Sequence, residues 1–502
     1  MVTVGGPAPR RSTALDITCI AALLAYTAAV LVLTSGGYAD ADDRYYLKAA
    51  DAWIDHGPAV GTSHWDMRLP LILAMAGAIR VGGRTELAAV VAPAAVCTVI
   101  LMLATYALVR TAAGRSAALL ASVLAVTAPV VAIYGQDFGP DILEASLSAT
   151  SAAVFAWGWP RRSVASLAGA GLLLGVCWVD RATCAPLLGV YGLVFAHAAW
   201  GGQPGRWTML ALFAGAAAPV LAEAAYYAVM AGTPLYRLAV DARSLEIPSN
   251  HMLGQVAGGL RPPFNAALMA RWRPNSLVDV HWAVNPFIDL VTNPQHGWLI
   301  LPGTVAGTVL WRRTEPGSPL GWLVRLLCVW AVLILFTVLA VLNLRPQPRY
   351  FLTLTWVAAI LTALWLAPML LRHRAAAVAL AAVLALNLAA ARLRPDPVSA
   401  DRLIVRQLHA TGGTVWTTDA HRETLLLLDA GLAGRVQSLP APAGAGAQVF
   451  LTQPEATQPP YDAWPTSWRA EPPPPWPLGP LQGVDGIRLP HGPAAVLLAT
   501  PG

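Results

Sequence analysis

The chain has 502 residues, is 56% hydrophobic and only 12% charged, and carries a formal net charge of +6. A soluble domain usually carries about 25% charged residues, so this sequence cannot cover itself with polar surface, and most of it must face lipid. That excludes a soluble globular enzyme. The positive charge gives no sign of a nucleic-acid partner, because the arginines come in short pairs between apolar runs, the pattern that orients membrane helices.

The first apolar run, residues 14–34, follows Arg10 and Arg11 and is long enough to span a bilayer. The "ADA" at 39–41 faintly resembles a signal-peptidase site. The run exceeds the usual h-region of about 7–15 residues, so an uncleaved anchor with its N-terminus inside is expected. The loop 36–68 then opens with Asp40, Asp42 and Asp43. From Asp43 to Asp55 the pattern is helical, with Tyr46, Ala49, Ala50, Trp53 and Ile54 on one face and Arg44, Lys48, Asp51 and Asp55 on the other. Such a helix lies in the membrane interface. One aspartate would suffice to cap it. Three within four residues, beside an apolar wall able to raise a carboxyl pKa, point to a catalytic base held at the membrane surface.

The run 69–83 contains Arg80 and is short for a crossing. Longer runs follow at about 86–109, 116–134, 140–158, 163–179, 183–200, 207–231, 297–311, 320–342, 350–371 and 375–391. If 69–83 does not cross completely, the hairpin charges Arg110, Arg115, Arg161, Arg162, Arg206, Arg312, Arg313, Arg372 and Arg374 all fall inside. Four polar segments and the tail then fall outside: 36–68, 134–141, 232–296 and 343–350, and everything after about 395.

The outer turn "YGQDFGPD" places Asp137 and Asp141 at a helix start, with Glu144 one turn further in. A Pro-Asp start is ordinary helix initiation, but a carboxylate inside an apolar segment costs a few kcal/mol unless paired or wet. Asp180 and Arg181 interrupt a later run, either as a structural ion pair or as ligand contacts. In the long outer segment Arg237, Asp241, Arg243, His251, Arg271, Arg273 and His281 are candidates for acceptor contacts, and the two histidines lack metal-site spacing. Arg345 and Arg349, with Tyr350 beside them, lie at the bundle mouth, placed to hold a phosphate by charge-assisted hydrogen bonds. The five cysteines lie within apolar runs and read as small apolar residues.

The expected fold is an all-α polytopic bundle of about 11–13 membrane helices over residues 1–394, with an interfacial helix in the first outer loop. Residues 395–502 form a small extracytoplasmic α/β domain. In it "GTVWTTDAHRETLLLLDAGL" reads as strand, turn and amphipathic helix, "AQVFLT" as a strand and "EPPPPWPLGP" as an extended piece.

The order of one membrane helix, "DADDRYYLKAADAWIDHG", "RLPLILAMAG", "YGQDFGPDILEASLSAT" and then "LRPQPRYF" resembles the GT-C superfamily of polytopic glycosyltransferases. The similar branch contains protein O-mannosyltransferases, aminoarabinose transferases and related bacterial lipid-linked sugar transferases. The resemblance implies inverting transfer of a sugar from a polyprenyl-phosphate carrier to a glycan, lipid or protein acceptor, outside a bacterial plasma membrane. It puts the first-loop acid on Asp42 or Asp43, the second on Asp141 and the late arginine on Arg345 or Arg349. Asp40, Asp137, Arg181 and Tyr350 are expected as further substrate contacts. Some branches use a divalent metal; the sequence requires no cofactor. Two departures stand out: the family's "DE" doublet is "DD" here, and its "HPPL"-type segment is "MRLPL". The competing reading is a polytopic transporter or flippase, for which internal repeats and broken helices near the midplane are expected.

Overall fold

The computed structural model describes residues 10–34, 36–39, 41–203, 205–244, 284–341, 347–370, 372–392, 398–440, 447–456, 466–470 and 495–499. In chain order the N-terminal half runs α1 (Arg10–Leu33), α2 (Asp42–His56), α3 (Leu69–Gly82), α4 (Ala92–Ala113), α5 (Arg115–Thr127), α6 (Pro129–Tyr134), α7 (Pro140–Arg161), α8 (Val164–Asp180), α9 (Ala185–Trp200), α10 (Met209–Ala231) and α11 (Tyr236–Ser244). The second half adds α12 (Asn285–Thr292), α13 (Ile300–Arg313), α14 (Pro319–Phe336), α15 (Leu352–Leu370) and α16 (Arg374–Arg392). Proline sits in the first turn of α3, α4, α6, α7, α9, α12 and α14. There its missing N–H costs nothing and its fixed φ suits the helix.

Seven helices among the described residues are long and apolar enough to cross a membrane. About 11–13 were expected. The remaining expected runs do fold as helices, but shorter ones, such as α5 and α8, or more polar ones, such as α7 with Asp141 and Glu144. α15 is the centre of the bundle and is buried on nearly every side. Its Trp356 indole donates to Thr105 Oγ1 of α4 at 2.7 Å and meets Trp330 of α14 edge-on at 5.4 Å. α1, α10 and α16 ring the outside, and side chains such as Val229 and Leu221 point away from the protein, as lipid-facing residues do.

Helices α8 and α10 approach most closely where glycine replaces side chains. A Cβ at Gly171 or Gly175 of α8 would run into the main chain of Leu212 or Ala216, and one at Gly215 of α10 into that of Ala168. Within a membrane, where burial from water drives nothing, such backbone-to-backbone packing carries the association.

The two ends of the bundle differ. At one, Asp16 of α1 accepts from Tyr106 Oη (2.7 Å), Arg110 Nε (3.0 Å) and Arg115 Nε (2.7 Å). The hairpin arginines of α4 and α5 thus clamp α1 as well as marking a membrane boundary. At the other, Gln136 donates to Thr34 Oγ1 at 2.5 Å and accepts from Gly36 N at 2.6 Å. That ties the first loop to the turn before α7. α3 stays beside α2 along its length: the Arg68 guanidinium lies 5.7 Å from the Tyr46 ring, and Arg84 pairs with Asp51 at 2.8 Å.

The tail contributes α17 (Ser399–Thr411), α18 (Asp419–Leu428) and α19 (Gln453–Ala456). Its sheet has the order β2-β1-β3-β5-β4, from β1 (Val415–Thr417), β2 (Val436–Ser438), β3 (Gln448–Thr452), β4 (Thr466–Ala470) and β5 (Ala495–Ala499). β1 pairs in parallel with β2 and β3, whereas β5 runs antiparallel to β3 and β4. The strands and helix expected at 415–428 and 448–452 are present; "EPPPPWPLGP" lies outside the described residues. His421 joins three elements, meeting Asp401 at 2.7 Å and Glu455 at 3.0 Å. Burial works against its charge, but the two carboxylates prevail and raise its pKa to about 10. Arg402 pairs with Glu86, and Lys48 with Glu423 at 3.1 Å, joining tail to bundle.

Candidate active site

α2 begins at Asp42, and the two aspartates of its first turn part company there. Asp43 is 3% exposed, and its carboxylate accepts from the N–H groups of Ala39 (2.7 Å), Ala41 (2.6 Å) and Arg44 (3.1 Å). It folds the incoming loop onto the helix start. Asp42 faces the bundle instead. Its Oδ2 accepts from Arg349 Nη1 at 2.7 Å and its Oδ1 from Trp65 Nε1 at 3.1 Å. The Trp65 ring is stacked on Tyr45 at 4.4 Å and meets the His64 ring at a tilt at 3.8 Å, which fixes its N–H. Burial pushes the Asp42 carboxyl up, but the charge and hydrogen bond of Arg349, then Trp65 and Arg68, more than offset that and hold it below its ordinary value. Burial also lowers the His64 pKa, with Arg68 adding to the effect.

Asp141 comes from the second hairpin. Gly139 is extended, Pro140 starts α7, and Asp141 falls in the first turn, 5% exposed. It forms an ion pair with Arg181, which leaves the end of α8 in extended conformation (φ −157°) and so turns back towards α7. Glu144 lies 3.8 Å from the same guanidinium and accepts from the Thr183 hydroxyl. The buried glutamate is therefore paired, as its cost in an apolar segment requires.

Tyr350 joins the two pairs. The guanidinium of Arg349 lies 5.2 Å from its ring and that of Arg181 4.8 Å from the same ring. Arg349 also feels the charge of Asp141. Because Arg349 and Tyr350 occupy the turn that leads into the central helix α15, they stand in the middle of the bundle mouth, with α2 and α7 around them.

Five of the residues singled out in the sequence thus come together: Asp42, Asp141, Arg181, Arg349 and Tyr350. Asp43 is adjacent but turned to the backbone, and Asp137 is half-buried in the turn before α7. Asp40 and Arg345 lie outside the described residues. Asp180 and Arg181 do not pair with each other: Arg181 goes to Asp141 and Glu144. Of the long segment, Arg237 is held by Glu223 at 3.2 Å and by the Val179 carbonyl at 2.6 Å, while residues 245–283 are outside the described set. Trp65, Tyr46 and Arg68 were missed. Arg68 had left a signal, as the cation in "MRLPL" just before an apolar helix.

Residues 60–230 match the family model described as dolichyl-phosphate-mannose-protein mannosyltransferase. Among solved structures, the apo form of ArnT from Cupriavidus metallidurans is similar over 97% of this chain and 98% of its own, with 14% identity and a TM-score of 0.52. The oligosaccharyltransferase of Archaeoglobus fulgidus, in complex with Zn and sulfate, is similar over 84% of this chain with 16% identity and a TM-score of 0.51. This chain spans 63% of that protein's length.

The chain has the GT-C glycosyltransferase fold. By sequence, no curated protein matches. The matched segment 60–230 contains Arg68, Asp141, Asp180 and Arg181, while Asp42 precedes it and Arg349 follows it. Folding alone brings those two into contact at 2.7 Å.

Proposed function

We propose that the protein is an inverting glycosyltransferase that moves a sugar from a polyprenyl-phosphate carrier to an acceptor hydroxyl at the outer face of a bacterial plasma membrane. The observation that carries this reading is the single tyrosine ring, Tyr350, with the arginine partners of two carboxylates against it. Two acids and two guanidinium groups then meet at the mouth of an apolar bundle. A lipid carrier keeps its phosphate and sugar at that depth and its tail among the helices.

Asp42 is the general base. Its lowered pKa keeps it ionised at neutral pH, and it takes the acceptor's proton as the acceptor oxygen bonds to the sugar's anomeric carbon. The bond from that carbon to the phosphate oxygen breaks with its electron pair staying on the phosphate. Arg349 stabilises the charge that grows there. A single displacement through an oxocarbenium-like state inverts the anomeric centre. Asp141, fixed by Arg181, orients the acceptor. Asp43 keeps the loop that carries Asp42 folded. Among the described residues no three His, Cys, Asp or Glu side chains stand together as metal ligands. Asp42 and Asp141 each meet a guanidinium.

The outer-face placement is supported by the bundle's asymmetry: Arg110 and Arg115 lie at the end opposite the acids. The matching test uses membranes holding the full chain and a panel of radiolabelled undecaprenyl-phosphate sugars. Wild type is compared with Asp42→Asn, Asp43→Asn and Asp141→Asn for release of free undecaprenyl phosphate. Asp42→Asn is expected to lose roughly 100-fold or more, within the range of a general base. Equal release in wild type and all three variants removes the mechanism.

A further inference from the structure

Asp180 is the last residue of α8 and is 1% exposed, yet neither carboxylate oxygen has a hydrogen-bond partner among the described residues. A carboxylate at a helix C-terminus also opposes the helix dipole. Buried polar groups are nearly always satisfied, so such an orphan needs an explanation. It does not stand alone. Among the described residues the Tyr46 hydroxyl, in a side chain 1% exposed, has no partner, and neither do Nε and Nη1 of Arg68. Arg68 lies 5.7 Å from the Tyr46 ring and is the charge that acts most on Asp180. Tyr46 in turn feels Arg68, Asp42, Arg181 and Asp141, which places the group beside the site already described.

The chemistry of the orphans narrows their ligand. A phosphate needs donors only and is repelled by an acceptor such as Asp180. An ammonium group is repelled by Arg68, Arg181 and Arg237, whose charges all reach Asp180. A neutral polyhydroxyl compound matches all three groups, because its hydroxyls donate to a carboxylate while their oxygens accept from a guanidinium and a phenol. We infer that Asp180, Tyr46 and Arg68 form the subsite for the hydroxyls of the transferred sugar, with Asp180 as the specificity-determining acceptor. This rests on the proposed donor class and goes beyond it, because it separates recognition of the sugar from recognition of the lipid phosphate at Arg349.

The test is equilibrium binding to the purified full chain in nanodiscs. Bare undecaprenyl phosphate is compared with undecaprenyl-phosphate mannose, glucose, galactose and arabinose. Wild type binds at least one sugared lipid more tightly than the bare phosphate by roughly tenfold or more, the size of a hydrogen bond to a charged group. Asp180→Asn erases that preference and leaves affinity for bare undecaprenyl phosphate unchanged. Tyr46→Phe, which removes one oxygen and no charge, reduces the preference and keeps the inference testable if Asp180→Asn does not fold. A preference that survives both variants overturns the subsite while leaving the transferase reading intact. A wild type that binds bare and sugared lipids alike overturns the subsite too. A wild type that binds none of the lipids sinks both.

Discussion

Both ends of the bundle hold carboxylates among arginines, but only one is organised as a site. At the end of Asp16 a single carboxylate receives a tyrosine hydroxyl and two guanidinium groups, and every partner comes from α1, α4 or α5. At the end of Asp42, charged groups arrive from α2, α7, the end of α8 and the turn before α15, and one carboxylate, Asp180, has no donor among the described residues. A cluster of charge is therefore a poor sign of function by itself. A structural clamp closes its hydrogen-bond account locally; a binding site leaves groups open and draws them from distant parts of the chain.

Several experiments sharpen or break this contrast. The largest expected effect is on folding: Arg181→Met leaves Asp141 and Glu144 buried without their shared cation. Removing one partner of a buried pair typically costs about 3–5 kcal/mol, so thermal melting of the detergent-solubilised chain should fall sharply or the variant should not accumulate. Next is Asp42→Asn, with transfer down by roughly 100-fold and melting close to wild type, since Asp42 is partly exposed. If melting collapses instead, Asp42 belongs with the structural clamps.

A pH profile probes the site more finely. Because the folded pKa of Asp42 is depressed, its ionised form persists through the neutral range and is lost only as pH falls through that lowered value. Wild-type transfer should show no acid limb from Asp42 near neutrality. Arg349→Gln removes the main charge opposing burial, so the limb should move to higher pH, whatever happens to the maximal rate. An unmoved limb means that Asp42 is not the titrating base. At the opposite end, Asp16→Asn should lower melting by less than Arg181→Met and leave transfer at the wild-type rate. The smallest effect is expected at Lys48→Ala, which breaks a pair with Glu423 whose lysine is 53% exposed. Exposed pairs contribute at most about 1 kcal/mol, so melting should barely change.

Much of the fold was legible because membrane helices announce themselves by length and hydropathy. Each apolar run expected from 14–34 to 375–391 is mostly helical where described, although 116–134 breaks at Ala128 and 297–311 starts its helix only at Ile300. The tail's first strand and helix followed from a change of periodicity at residues 415–428. The site was legible in part. Asp42, Asp141 and Arg349 stood out as polar residues at the ends of apolar runs. Which of Asp42 and Asp43 faces the bundle was not legible, since both lie in one helical turn and only the positions of Ala39 and Ala41 assign the backbone N–H groups to Asp43. Trp65 and Tyr46 were missed because aromatic residues in an interfacial loop look like membrane anchors.

By itself, then, the sequence determined the class of molecule and the stock of chemistry: a lipid-facing helical chain with acids and arginines at its polar turns. Those features follow from local hydrophobicity and charge, which act residue by residue. Only the tertiary structure decided the partnerships, such as Asp42 with Arg349 across 307 positions and two guanidinium groups on one tyrosine ring. Helix packing sets which distant polar groups share a buried volume, and desolvation there turns an ordinary carboxylate into one that must find a partner or a ligand.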